Sequence, residues 1–311
     1  MPTRTETIPA VSFTVNVCNA DAPYLLQTLR HMIRQLNFPF AERVATYDPG
    51  RQVGRYASRM QGTRTEVEGI LETLLVERVV DRVDVIPWTE EDQRNIALKY
   101  FDDPDIESTD FRGAPIYQYL YAMNACSGDY LFHVDSDMLF YRQGERSWVH
   151  EALDLFRCEP QVIVATPQGG PPKARSRLER ITGLSFERKA QSQWHRADSI
   201  STRYFLMDMA RFRSCLPLQQ AEPNESLEKT FFHTFTQNGY QRWSMNGYAH
   251  WAIHPFSHDE NYLHYLDDLI WAVENGVYPF KRNGPQWDMY TEGEDINGWL
   301  AVLRKHGRSP N

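Results

Sequence analysis

Residues 128–141 read GDYLFHVDSDMLFY. A short apolar and aromatic run, Tyr130 to Val134, drives straight into Asp135-Ser136-Asp137. The run predicts a buried β-strand, and the question is why it should end on two carboxylates. On an extended chain residues i and i+2 share a face, so Asp135 and Asp137 point the same way. Two hard oxygen ligands at the carboxyl end of a strand suit Mg²⁺ or Mn²⁺ carrying a diphosphate. Open α/β sheets bind ligands at that end of their strands. The alternative is two solvated turn acids, because this spacing recurs by chance. Asp103-Pro104-Asp105 is a second instance in the same chain, and no function is assigned to it. Position at the end of a buried strand separates the two pairs.

The sequence upstream supplies the rest of a sheet. Val11 to Val17 is β-branched and apolar and predicts a first strand, ending at Cys18-Asn19. Asn19 or Asp21 caps a helix over 24–36, with Pro23 in its first turn and Leu25, Leu29, Met32, Ile33 and Leu36 at helical spacing. Arg43 to Asp48 is a second strand, stopped by Pro49-Gly50. Strand, helix, strand in this order opens a parallel-sheet α/β fold. A helix over 65–80 and a short strand over 83–87 follow. Residues 90–112 read as polar and irregular, and 115–126 as a helix feeding the strand at 130–134.

Downstream, helices are predicted over 148–156, 227–237 and 262–274, and strands over 161–166 and 204–208. PQGGPP, residues 167–172, reads as a loop, and the segment from Lys281 as a turn-rich tail. No linker divides the chain into independently folding domains. The expected plan is one domain with a tail over 1–10, a nucleotide half over 11–145, an acceptor half over 146–280 and a tail over 281–311.

Composition narrows the function classes. The chain has 311 residues, 41% hydrophobic and 13% aromatic, enough for a sizeable core. Its net charge of -8 is a poor basis for sequence-independent binding to nucleic acid or anionic lipid. The N-terminus MPTRTETIPA has no apolar signal-peptide core, and no apolar run reaches the ~20 residues of a bilayer span. The expectation is a soluble, cytoplasmic protein. Cys18, Cys126, Cys158 and Cys215 are scattered, without a CxxC pair, which argues against a zinc ribbon or a disulfide framework.

The order of these features resembles the nucleotide-sugar-binding half of GT-A-fold glycosyltransferases, closest to the family-2-like group. The resemblance rests on a strand ending at Asn19, a helix, a strand ending at Asp48, then Arg112-Gly113-Ala114-Pro115, Asn124-Ala125 and Gly128-Asp129-Tyr130 leading to Asp135-Ser136-Asp137. It covers roughly residues 11–141. The family's Asp-Asp-Gly-Ser is Tyr47-Asp48-Pro49-Gly50 here. The resemblance implies a single GT-A-like α/β domain with a mostly parallel central sheet flanked by helices. It also implies a divalent metal, Mn²⁺ or Mg²⁺, bridging a UDP- or GDP-sugar to the DxD. Asp48 then meets the base, with Asn19, Tyr47 as a stacking ring, Arg112 and Ser136 around the donor. Asp135 meets ribose or metal, and Asp137 the metal.

Transfer to a hydroxyl with inversion needs a general base. The family places an acid at a helix start before a Gly-Tyr pair; here Asn238-Gly239-Tyr240 follows Leu227-Glu228-Lys229. Glu228 is the first choice and Glu225 the second, with Glu294-Asp295 a further alternative. A helix-start acid favoured by the helix dipole is the structural alternative. His250, His254 and His258 recur at i, i+4, i+8, but Pro255 opposes a regular helix there. The family-like reading makes His254 a ligand of the DxD metal, with His258 next. Residues 173–203 carry eight Lys or Arg against three Asp or Glu, a basic flap or a charge-rich surface insertion. Trp194, Trp243 and Trp251 are either core or sugar-stacking residues. The function expected is a metal-dependent, inverting glycosyltransferase acting on a hydroxyl of a small molecule or oligosaccharide. The alternatives are a sugar-1-phosphate nucleotidyltransferase, lacking here a Gly-rich basic loop after strand one, a non-catalytic carbohydrate-binding protein, and a hydrolase using paired carboxylates.

Overall fold

The computed structural model describes residues 9–50, 62–172, 193–247, 249–279 and 287–309. Its first half runs β1 (Val11–Cys18), α1 (Leu25–Leu36), β2 (Glu42–Asp48), α2 (Arg64–Val76), β3 (Arg82–Val85), α3 (Glu90–Phe101), α4 (Tyr117–Ala125), β4 (Tyr130–Asp135) and β5 (Leu139–Arg142). Then come α5 (Trp148–Cys158), β6 (Val162–Thr166), β7 (Gln168–Gly169), β8 (Trp194–Ala197), β9 (Tyr204–Asp208), α6 (Met209–Ser214) and α7 (Leu227–Gln237). The chain closes with β10 (Gln241–Met245), β11 (His250–Pro255), α8 (Glu260–His264), α9 (Leu266–Glu274), β12 (Asp288–Met289) and α10 (Ile296–Lys305).

The eight-stranded main sheet has the order β3-β2-β1-β4-β9-β6-β10-β8. It is mainly parallel, with β9 and β8 running against their neighbours. Chain order reverses between β1 and β4: β2 and β3 extend to one side of β1, and β4 returns to the other. That reversal opens a crevice at the strands' carboxyl ends, where α/β sheets take ligands. The parallel register sets Asn16 of β1 beside Asp135 of β4, so the opening stretch delivers its carboxylates to this crevice. The domain is α/β with a mostly parallel central sheet flanked by helices, as the resemblance implied.

Alternation along the strands sorts side chains into two layers. On β4, Phe132 joins the cluster under α1, α2 and α5, whereas Leu131 joins the opposite one under α3, α4, α6 and α7. A smaller sheet, β12-β11-β5 with β7 alongside β11, carries a third cluster formed with α8, α9 and α10. β11 runs antiparallel to β5 with Ile253 opposite Leu139. This register returns His254 to the residues just after the DxD.

Three expectations differ from the structure. Residues 90–101 are helical, not irregular: Thr89 caps the helix by accepting from the Asp92 N–H, Glu90, Glu91 and Asp92 favour the positive helix end, and Ile96, Ala97, Tyr100 and Phe101 supply the buried face. The tail contains α10, whose Ile296, Trp299, Leu300 and Leu303 are buried in the third cluster. The helix expected over 262–274 is two helices meeting at Tyr265. Trp194 and Trp251 are core, while Trp243 is partly buried and donates to Gln241. Residues 173–192 of the basic stretch lie outside the described residues.

One polar contact ties α1 to the smaller sheet. His31 is fully buried, and its Nε2 accepts the Phe140 N–H at 2.9 Å. Its Nδ1 must then carry the proton, which it donates to Glu274 at 2.8 Å. Burial pulls the His31 pKa down, outweighing Glu274. A histidine whose folded pKa lies below its unfolded value stabilises the fold fully above that unfolded value, roughly 6.5, and loses the contribution as pH falls. Urea midpoints should therefore drop on acidification below about pH 6.5, and His31→Leu should flatten that slope while lowering stability at pH 8. An unchanged slope in the variant would assign the acid sensitivity elsewhere.

Candidate active site

β1 and β4 at their carboxyl ends, and β9 at its amino end, line a cleft of about 1730 Å³ that also reaches β8, β10 and β11. Asp135, Ser136 and Asp137 line it, as do Arg112, Glu228 and His254. Six of the residues singled out from sequence are thus brought to one cavity.

Asp137 is the most constrained of them. It is 5% exposed. One carboxylate oxygen, Oδ2, meets His258 Nε2 at 3.0 Å and His254 Nε2 at 3.2 Å. The other, Oδ1, is buried with no hydrogen-bond partner. Burial pushes this carboxyl up, but the two imidazoles outweigh it and hold Asp137 well below the usual range. Burial pulls His254 down, but Asp137, and then Asp288, raise it to about 9. His254 Nδ1 faces Asp288 Oδ1 at 3.5 Å, and Arg203 meets the same oxygen at 3.1 Å.

Both imidazoles are positioned by their surroundings. His254 arrives on β11 by the register with β5. His258 follows β11 in a loop pinned by Asp259, which caps α8 by accepting from the Asn261 and Tyr262 N–H groups and also accepts from Ser257 and Thr291. Tyr24 stacks on the His258 ring at 4.3 Å between centroids. The Tyr24 hydroxyl donates to buried Asp21 at 2.6 Å. No helical histidine face forms, as Pro255 argued, because 250–255 is a strand. His250 shares a strand face with His254 but lies about 13 Å along it, and it pairs with Glu151 at 3.5 Å.

Asp135 is oriented differently. Its Oδ1 accepts from Tyr119 at 2.7 Å. Burial, then Asp135, push the Tyr119 pKa well up, so the phenol keeps its proton, and its hydroxyl also lies against Thr202. Thr202 in turn donates to Glu228 Oε1 at 3.1 Å. Glu228 Oε2 meets Arg112 at 3.4 Å, and Arg112 is gripped by buried Asp110 at 2.7 Å. Glu228 thus stands in the first turn of α7 on the cleft wall, linked to Asp135 through two hydroxyls.

Glu225 does something else. It is buried and accepts from the Ala221 N–H at 2.9 Å and from Thr230 at 3.2 Å, and it is not among the cleft-lining residues. Its role is to close the loop before α7, which corrects its candidacy as a base.

Asn19, Tyr47 and Asp48 gather at the ends of β1 and β2, outside the lining of the cleft. Tyr47 is closed off from solvent in the core and donates to Asn19 Oδ1 at 2.6 Å. Its ring face is therefore not presented for stacking, contrary to expectation. Asp48 Oδ1 accepts from Trp88 Nε1 and the Gly50 N–H, each at 2.7 Å. Burial raises the Asp48 pKa despite these two donors. Trp88, part-exposed beside Asp48, escaped the sequence reading; a tryptophan directly after a third strand was the available signal.

Among the described residues no group of three His, Cys, Asp or Glu side chains is already gathered around an ion position. The donor types nevertheless fit a divalent cation: a buried carboxylate oxygen without a partner, its second oxygen between two imidazoles. Imidazole in the set favours Mn²⁺ over Mg²⁺, which prefers oxygen ligands.

No family model matches the sequence, and no curated protein matches it. Solved structures share the outline of the fold. GalNAc-T7 with UDP, GalNAc and Mn²⁺ aligns at 12% identity and TM-score 0.49, over 96% of this chain and 48% of that one. S. aureus TarS aligns at 13% and 0.43, over 84% and 39%. The mannosyltransferase PcManGT from Pyrobaculum calidifontis, in complex with GDP-Man and Mn²⁺, aligns at 13% and 0.44, over 86% and 62%. This chain spans less than two thirds of each. Substrate and chemistry are therefore read from its own residues.

The two glutamates near α7 give a direct contrast. Glu225→Ala leaves the buried Thr230 hydroxyl and the Ala221 N–H without this acceptor and should cost about 1–3 kcal/mol in urea denaturation. Glu228→Gln, half in the cleft, should stay within about 0.5 kcal/mol of wild type. Equal losses would mean that Glu228 is as structural as its neighbour.

Proposed function

We propose that this chain is a metal-dependent, inverting glycosyltransferase that moves a sugar from a nucleotide diphosphate to a hydroxyl acceptor. The observation that carries the reading is Asp137: a buried carboxylate at the switch point of the sheet, with one oxygen unpartnered and two imidazoles on the other. Asp137, His254 and His258 would hold the cation, with Asp135 close by. When bound, the cation supplies Lewis-acid stabilisation to the departing diphosphate.

The remaining steps belong to the chain's own side chains. Asp48, steadied by Trp88 and Gly50, accepts from the base of a UDP- or GDP-sugar, with Asn19 beside it. Ser136 and Asp135, the latter fixed by Tyr119, face the ribose and the diphosphate. On the opposite wall Glu228 takes the proton of the acceptor hydroxyl as that oxygen bonds to the anomeric carbon and the bond to the diphosphate breaks. Arg112 and Thr202 hold Glu228 in place, the positioning a general base needs.

The acceptor is a hydroxyl-bearing small molecule or oligosaccharide. Among the described residues no helix is long and apolar enough to cross a membrane. None of the four cysteines, all among the described residues, forms a disulfide, which supports a reducing, cytoplasmic setting.

A thermal-shift panel of UDP, GDP, dTDP and CDP tests the reading, each with Mn²⁺ and with EDTA. A nucleotide at about 100 times its Kd adds roughly 2.7 kcal/mol to the folded state. One nucleotide should stabilise the wild type only with metal and leave Asp137→Ala unmoved. Metal-independent shifts that persist in the variant would remove the role given to Asp137.

A further inference from the structure

Arg196, Arg203 and Arg242 line the cleft and are not used by this scheme, and Arg242, on β10, is the most buried of them. On β10, Ser244 sits opposite His195 of β8 and Thr166 of β6. Arg242, two residues earlier, shares that face. The guanidinium spends its donors on neutral groups: Nη1 on the Ser199 carbonyl at 2.5 Å and Nη2 on the Thr166 hydroxyl at 3.2 Å. Its Nε is buried with no partner.

Among the described residues no carboxylate lies within ion-pair distance of Arg242. The other partly buried arginines do have one: Arg82, Arg112, Arg211 and Arg308 each contact an acid. Burial pulls the Arg242 pKa down, opposed only by Tyr204. Guanidinium does not give up its proton in a protein, so the penalty of a desolvated charge stays in the free molecule. Arg196 and Asp198, at the end of the adjoining β8, also line the cleft, but Arg196 is opposite Trp243 and so projects from the other face of the sheet.

The geometry points to an anion subsite: Arg242, with the Ser244 hydroxyl on the same strand face, receives a phosphate or carboxylate group carried by the acceptor. That the anion belongs to an acceptor rests on the glycosyltransferase reading; that the cleft binds an anion here does not. A guanidinium with a free Nε matches the oxygen geometry of both groups, and charge-assisted bonds of this kind are the strong ones. The other anion a transferase handles is the donor's diphosphate, so the test separates the two sources.

Glucose 6-phosphate, glucuronate and glucose are titrated into wild type, Arg242→Met and Arg196→Gln in phosphate-free buffer, alongside UDP and GDP with Mn²⁺. The two acids should bind wild type at least about ten-fold more tightly than glucose, the scale of one charge-assisted hydrogen bond. Arg242→Met should abolish that preference and Arg196→Gln, on the other face of the sheet, should keep it, with nucleotide affinity within about two-fold of wild type in both. Removing an uncompensated buried charge should also leave the melting temperature of free Arg242→Met unchanged or raised. Equal binding of glucose and the acids would overturn the subsite, as would an acid preference surviving in Arg242→Met. A variant that melts well below wild type would make Arg242 a structural residue. Nucleotide affinity falling in step with acid affinity would give the site to the donor. If no nucleotide binds while the acids do, the subsite stands and the glycosyltransferase reading fails.

Discussion

The Asp137 carboxylate is the group around which the molecule is arranged. Burying a carboxylate is unfavourable unless it is paired and hydrogen-bonded, and here two imidazoles come from a different part of the chain to do it. His254 requires the antiparallel register of β11 on β5. His258 requires the turn capped by Asp259 and the stacking face of Tyr24. The smaller sheet, α1 and α8 thus converge on one oxygen atom, while the second oxygen is left without a partner. A fold selected for stability alone gains little from such a group, since a buried ion pair rarely outperforms apolar packing. An arrangement that waits for a ligand explains it better.

The main sheet explains why this happens where it does. Strand order reverses between β1 and β4, and the DxD occupies the end of β4 at the resulting crevice. β9 runs antiparallel beyond it, so the chain leaves the crevice and re-enters it at Thr202 and Arg203, at the start of β9. That reversal is what sets Thr202 between Tyr119 and Glu228. The two walls of the cleft are therefore not independent: Asp135 and Glu228, 93 residues apart in sequence, are joined through two buried or half-buried hydroxyls. Pre-set positions of this kind are what transition-state stabilisation requires.

Much of this was legible in the sequence, and the parts that were not have physical reasons. The strands at 11–18 and 130–135 were readable because both faces are buried, which writes a continuous apolar run. The helix at 227–237 was readable from its Phe231 and Phe235 spacing and its Ser226 cap. The helix at 90–101 was not, because its first turn is acidic and its buried face is narrow. For the histidines, Pro255 argued against a helix without showing what replaces it. Intervals of four fit one face of a helix, but four is also even, so His250 and His254 share a strand face equally well. Sequence placed Asp135, Asp137, Arg112, Glu228 and His254 in one site, and all five line the cleft. It could not assign Tyr119, which reads as one more apolar residue of a helix, nor Tyr24, whose contact with His258 spans the length of the fold.

The measurement that bears most directly on Asp137 is anomalous diffraction at the manganese edge, from crystals grown with Mn²⁺ and the nucleotide diphosphate that the protein binds. The account places a single strong peak at about 2.0–2.4 Å from an Asp137 oxygen, the range for oxygen ligands of such cations. His254 or His258 should be turned onto the peak, and the diphosphate should complete its shell. A peak elsewhere in the cleft, or a bound nucleotide whose phosphates meet only protein donors while Asp137 keeps both imidazoles, would contradict it.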